Sequence, residues 1–143
     1  MILFLDFDGV LHPLNKAEKF TRTHLLDTFL AAQCDVEIVL STSWRQIFPL
    51  AVLRSKLSAT IAERVIGATP IFPRAALEPA PTAVRERECR MWLDANGRTD
   101  AAWVALDDEP TLFATRERVI VCDSRVGLMP ESIEALQKHF RTS

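Results

Sequence analysis

Short apolar runs, each closed by a polar residue, recur along the chain. Ile2-Leu3-Phe4-Leu5 ends at Asp6, and Val36-Glu37-Ile38-Val39-Leu40 ends at Ser41-Thr42-Ser43. Ala102-Trp103-Val104-Ala105-Leu106 ends at Asp107-Asp108, and Arg118-Val119-Ile120-Val121-Cys122 ends at Asp123-Ser124. Runs this short suit buried strands, because a helix needs more turns to bury a face. Residues 64–66, before Gly67, offer a short fifth strand.

Stretches with helical spacing separate these runs. Residues 21–33 carry Leu25, Leu26, Phe29 and Leu30 on one face. Residues 44–56 are helical but hold Pro49, so that segment either splits or starts near the proline. Residues 58–64 form a short helix capped by Ser58. Residues 82–95 follow Thr82 as cap, turn Val84, Cys89, Trp92 and Leu93 inward, and close at Asn96-Gly97. A short helical turn is expected over 110–116, and the last helix over about 130–140. Residues 67–81 hold four prolines without periodicity and read as a loop excursion, not a folded cap.

Strand and helix therefore alternate, and several strands are apolar on both faces. The fold class is α/β: a Rossmann-like open, mainly parallel sheet with helices on both faces. With 143 residues the chain suits a single domain, 1–143. Apolar types make up 48% and charged types 25%, which excludes a disordered chain. The net charge is −2 and no basic block occurs, so strong bulk nucleic-acid binding is not expected. Thirteen of the 17 basic residues are arginine, which still allows an Arg-lined local groove. No run suits a membrane span, the N-terminus is no signal peptide, and a cytoplasmic location is expected. Cys34, Cys89 and Cys122 form neither a disulfide framework nor a metal motif and read as buried thiols. The three histidines form no zinc pattern.

The chemistry sits at the ends of the strands, where open α/β sheets bind ligands. Asp6 and Asp8 are two apart, so an extended backbone points both the same way. Gly9 lets the chain turn closely beside them. If the strands before Asp6 and Asp107 are neighbours, three or four carboxylates converge. Such crowding needs a cation, and oxygen ligands suit Mg²⁺.

These residues resemble the haloacid dehalogenase (HAD) superfamily of aspartyl-nucleophile phosphotransferases. Ile2 to Leu11 carries its hhhhDxDG signature, and Leu40-Ser41-Thr42-Ser43-Trp44-Arg45 its Ser/Thr strand end. Arg85 or Arg87 stands for its later basic residue, and Leu106-Asp107-Asp108 for its terminal acid pair. The Ser-Thr-Ser-Trp-Arg variant further resembles a capless subgroup related to phosphatase domains of nucleic-acid end-repair enzymes.

The resemblance implies a Mg²⁺-dependent phosphomonoester hydrolase. Asp6 would be the nucleophile and Asp8 the acid and base. The metal would lie among Asp6, Asp8 (through its backbone carbonyl), Asp107 and Asp108. Thr42 is favoured over Ser41 for the hydroxyl, with Ser43 third; Arg87 is favoured over Arg85 for the basic residue. Gly9 and Arg45 are candidates for phosphate contact. Trp44 reads as core or rim ahead of a base-stacking face, Trp92 and Trp103 as core, and His12, in the loop where the resemblance places a mobile flap, as lining the entrance or simply exposed. The expected partner is a phosphorylated substrate, with a nucleotide or nucleic-acid end phosphate as the best-motivated choice. A catalytically silent phosphate- or partner-binding domain and a haloacid dehalogenase stay open as alternatives. The second acid and the acid pair disfavour the latter.

Overall fold

A computed structural model describes residues 1–73 and 81–142. Five strands, β1 (Ile2–Leu5), β2 (Glu37–Leu40), β3 (Val65–Ala68), β4 (Trp103–Asp107) and β5 (Val119–Val121), form one sheet. Its order is β3-β2-β1-β4-β5, and every pairing is parallel. The chain steps outward from β1 through β2 to β3, then returns to the other side of β1 for β4 and β5. The direction of winding thus reverses between β1 and β4, which opens a crevice at their carboxyl ends.

The pleat divides the core in two. Leu3, Leu5, Ile38, Leu40, Val104 and Leu106 join one cluster. Helices α1 (Thr23–Ala32), α2 (Leu50–Ser55), α3 (Ala59–Ala62) and α5 (Pro130–Thr142) cover it with Leu26, Phe29, Leu30, Leu53, Ile61 and Leu136. On the other side Ile2, Phe4, Val39, Trp103 and Ala105 pack against Cys89, Trp92 and Leu93 of α4 (Val84–Ala95). Phe4 meets Trp92 and Trp103 edge-on, with ring centroids 6.2 and 5.5 Å away. Both faces are therefore covered, as a parallel sheet requires.

Several boundaries move. β3 runs through Gly67 and Ala68, so the loop starts two residues later than expected. Within that loop, 74–80 lies outside the described residues, and with it any answer on whether the excursion covers the site. Pro49 splits 44–56 into a 3-10 turn, Ser43–Gln46, and α2, whose N-cap is Pro49 itself. Ser58 caps α3 as expected and accepts from Ile61 N–H at 3.3 Å. Thr82 does not cap α4: the N-cap is Ala83, at φ +51°, and no side chain caps that end. The 110–116 turn becomes two 3-10 turns, Pro110–Leu112 and Arg116–Arg118. Cys89 and Cys122 are buried as expected, but Cys34 is exposed just past the end of α1.

Candidate functional site

The end of β1 lies between the ends of β2 and β4. Asp6 N–H donates to Leu106 O at 3.2 Å, and Ser41 N–H donates to Leu5 O at 3.0 Å. Pleat alternation puts Asp6 on the side of Phe4, Ser41 on that of Val39, and Asp107 on that of Ala105, which is the α4 side. One row thus runs across the sheet edge beneath α4.

Asp6, Asp107 and Asp108 bring a carboxylate oxygen each to within 4.8 Å of one another. Asp6 and Asp107 are buried and Asp108 is half-buried. Burial first, and then the charge of Asp107, holds the Asp6 carboxyl well above the usual carboxylate range. Asp107 is pushed up to about 6, again mainly by burial. The described cation that answers them is Arg85, whose Nη1 lies 3.3 Å from Asp107 Oδ2 and 3.5 Å from Asp6 Oδ1. Three hard oxygen donors with one guanidinium between them suit a divalent cation. The donor set is therefore capable of holding one.

Gly9 fixes how closely the next turn approaches. Its φ is +76°, and a Cβ there would lie 2.6 Å from Asp108 Cγ. Only glycine permits both the left-handed backbone and that contact. Gly9 N–H donates to His12 O at 2.9 Å, so the chain doubles back.

That turn makes Asp8 unlike Asp6. His12 Nε2 lies 2.8 Å from Asp8 Oδ1, and Trp44 Nε1 donates to Asp8 Oδ2 at 2.9 Å. Burial alone would raise the Asp8 pKa, but the His12 and Trp44 hydrogen bonds outweigh it and hold the carboxyl below its ordinary value. Asp8 is not one of the three clustered carboxylates.

The hydroxyls divide. Thr42 is fully buried and accepts from Trp44 N–H at 3.3 Å, capping the 3-10 turn. Ser41 is fully buried, and its Oγ has no hydrogen-bond partner. Ser43 is exposed. An unpartnered buried hydroxyl beside Asp6 is a donor available to a bound oxyanion.

Of the two candidate arginines, the geometry brings Arg85 and not the favoured Arg87 to the acids. α4 presents Arg85 to the acids, whereas Arg87 turns back and donates from Nε to Thr82 O at 2.7 Å. Its guanidinium lies 5.6 Å from the Phe72 ring centroid. Arg45 does not face the acids either. Its donors go to Thr69 O (2.9 Å), Ser41 O (3.2 Å), Thr42 O (2.9 Å), Pro70 O (3.2 Å) and Glu88 Oε2 (2.8 Å). A guanidinium has five N–H groups, so Arg45 is fully committed to tying the segment after β3 to α4. Glu88 completes the tie by accepting from Phe72 N–H at 2.9 Å.

Sequence reasoning did not find the roles of His12, Trp44 and Glu88. For Arg85 a signal existed: it lies four residues before Cys89, whose inward position was readable. His12, expected at the entrance or exposed, is instead fully buried; for it and Trp44 there was no signal, since both meet Asp8 only through the Gly9 turn and the β1–β2 pairing.

A family model described as "HAD domain in Swiss Army Knife RNA repair proteins" matches residues 2–133. No curated protein and no solved structure matches the chain.

Proposed function

The chain belongs to the family of HAD domains found in Swiss Army Knife RNA repair proteins, and from that premise we propose that it is a Mg²⁺-dependent phosphomonoester hydrolase. What supports this most is the joint arrangement of Asp6, Asp107 and Asp108 within 4.8 Å at the switch point, with Asp8 held two residues along. Asp6 attacks phosphorus in line with the leaving oxygen. The P–O bond to the leaving group breaks, and an aspartyl-phosphate forms on Asp6. Asp8 donates a proton to the departing oxygen. It then accepts a proton from the water that attacks the intermediate, releasing phosphate and restoring Asp6.

Asp8 is ionised at rest, given its lowered pKa. A phosphate arriving beside it raises that pKa, so the proton it delivers is taken up with the substrate. Arg85 offsets the charge on Asp6 and on the phosphoryl group. Ser41 Oγ is an additional donor, and Thr42 caps the turn that follows it. Asp6, Asp107, Asp108 and the Asp8 backbone carbonyl would hold Mg²⁺, which supplies screening between nucleophile and phosphate. A phosphorylated nucleic-acid end is the substrate we favour, in keeping with the family's description.

The test is a panel of phosphomonoesters, including 3′- and 5′-phosphorylated oligonucleotides, assayed with Mg²⁺ and with chelator. Wild-type turnover should require Mg²⁺. Asp6→Asn should fall to background, and Asp8→Asn should lose roughly 10²–10⁴-fold. Wild-type rates in Asp6→Asn would sink the mechanism.

A further inference from the structure

Asp8 is about one-third exposed, and a carboxylate so placed ordinarily rotates. Here each of its oxygens receives an N–H from a different part of the chain. Trp44, in the turn after β2, supplies one at 2.9 Å. His12, four residues on, supplies the other at 2.8 Å. Phe20 N–H donates to His12 Nδ1 at 3.1 Å. That nitrogen therefore carries the lone pair, and the ring proton sits on Nε2, aimed at Asp8.

The surroundings are built to keep this arrangement. His12 is fully buried, and its polar ring contacts are Asp8 and Phe20 N–H. Phe20 holds φ +59°, a left-handed backbone that an aromatic residue rarely adopts. This strained residue is the one that delivers the tautomer-setting N–H. Strain retained beside a reacting group is a pointer to function. Phe20 and Trp44 pack against the imidazole, with centroids 5.2 and 5.9 Å away, and Phe7 packs against both from 5.4 Å.

We propose that His12 and Trp44 are positioning residues that lock the Asp8 carboxylate in the orientation used for proton transfer to the leaving oxygen. The inference rests on the phosphatase reading above. His12 is not itself a proton carrier here, because protonating Nδ1 would displace the Phe20 N–H. Its task is orientation, shared with the indole on the other oxygen. A misoriented acid matters most when the leaving group is a poor one. Phenols that leave readily as anions need little proton assistance, whereas alkoxides need a great deal.

The experiment compares 4-nitrophenyl phosphate with an alkyl phosphate, both with Mg²⁺, in wild type, His12→Phe, His12→Gln and Trp44→Phe. The expected result for His12→Phe is a fall of about 10–100-fold on the alkyl ester in kcat/KM, which covers only the steps up to aspartyl-phosphate formation and not the later hydrolysis common to both esters. The aryl ester should change by less than about threefold, since its leaving group bypasses the acid. Trp44→Phe should show the same leaving-group selectivity in weaker form. His12→Gln should restore part of the loss, because a carboxamide N–H can reach Asp8. Equal losses on both esters, or none, would overturn the inference and leave the phosphatase reading intact. No wild-type turnover on any phosphomonoester would overturn both. A readout independent of turnover and of variant folding is ¹⁵N NMR of the wild-type imidazoles, which should report the Nε2–H tautomer for His12; the Nδ1–H tautomer would overturn the inference.

Discussion

The two faces of the sheet are built from the same strands and end differently. On the face covered by α1, α2, α3 and α5, the row through Leu3 and Leu5 continues apolar into Phe7. On the α4 face the row through Phe4 and Ala105 runs into Asp6 and Asp107 under Arg85 and Glu88. Buried apolar area stabilises in proportion to its extent. Buried like charges do the reverse unless a cation joins them. The first face therefore carries the stability, and the end of the second holds groups kept at a cost for chemistry.

Mutations on the two faces should consequently move stability in opposite directions. The largest effect belongs to the first face. Leu26 is fully buried on α1, so Leu26→Ala leaves a cavity and should lower unfolding free energy by about 2–5 kcal/mol. Activity per folded molecule should stay near wild type, since the residue lies away from the acids. Urea midpoints read beside specific activity check this. A matching fall in specific activity below the transition would break the division.

The next effect has the other sign. Asp107 is 1% exposed, and its ionisation is held off until about pH 6, against an ordinary value of 3.8. A carboxyl whose folded pKa is raised binds its proton more tightly in the native state, so stability falls as pH rises between those two values. Asp107→Asn removes that charge. Without divalent cation it should raise stability by about 1–3 kcal/mol near pH 8 and change little near pH 4. Mg²⁺ should stabilise the wild type and not the variant. Thermal melts at both pH values, with chelator and with Mg²⁺, decide it; a destabilised variant at pH 8 in chelator would show that Arg85 already compensates the acids.

This asymmetry also governs what was legible beforehand. The strands were readable because each is apolar on both sides and closed by a polar residue, and their bounds shift by at most two positions. The acids at the strand ends were readable for the same reason. That Asp6 meets Asp107 and Asp108 followed from the family resemblance and not from periodicity, because it depends on β1 lying beside β4, a pairing with nothing local in it. Between Arg85 and Arg87, the helical phase set by Cys89 was the local signal for which one faces the acids. Arg85 lies one turn before the buried Cys89 and so shares its inner surface with Glu88, whereas Arg87 lies on another face and turns back to Thr82 O. The 44–56 segment was ambiguous because Pro49 suits both a break and a helix start, and it serves as both.

The smallest predicted effect sharpens the comparison, because it concerns a buried acid of the α4 face that is not strained. Glu86 is 6% exposed, yet its carboxylate accepts from Ala114 N–H (3.1 Å), Thr115 N–H (2.8 Å), Thr115 Oγ1 (2.9 Å) and Arg90 Nε (3.0 Å). Burial alone would raise its pKa, but the Thr115 and Arg90 contacts outweigh that and hold it below the ordinary glutamate value of 4.5. A depressed carboxyl contributes stability that is present above the unfolded pKa and is lost as pH falls through the folded one. Glu86→Gln keeps the shape and one acceptor oxygen, but puts an amide where Thr115 Oγ1 and Arg90 require an acceptor. It should cost about 1 kcal/mol at neutral pH, and the cost should fade as the carboxyl of the wild type protonates on acidification. The Asp107→Asn difference also vanishes on acidification, but from a gain and not a loss. If both variants shifted the melt in the same direction at neutral pH, burial alone would govern these acids. Opposite shifts would mean that the donors around each carboxylate decide, which is what separates the acid that anchors residues 114–115 from those gathered at the sheet edge.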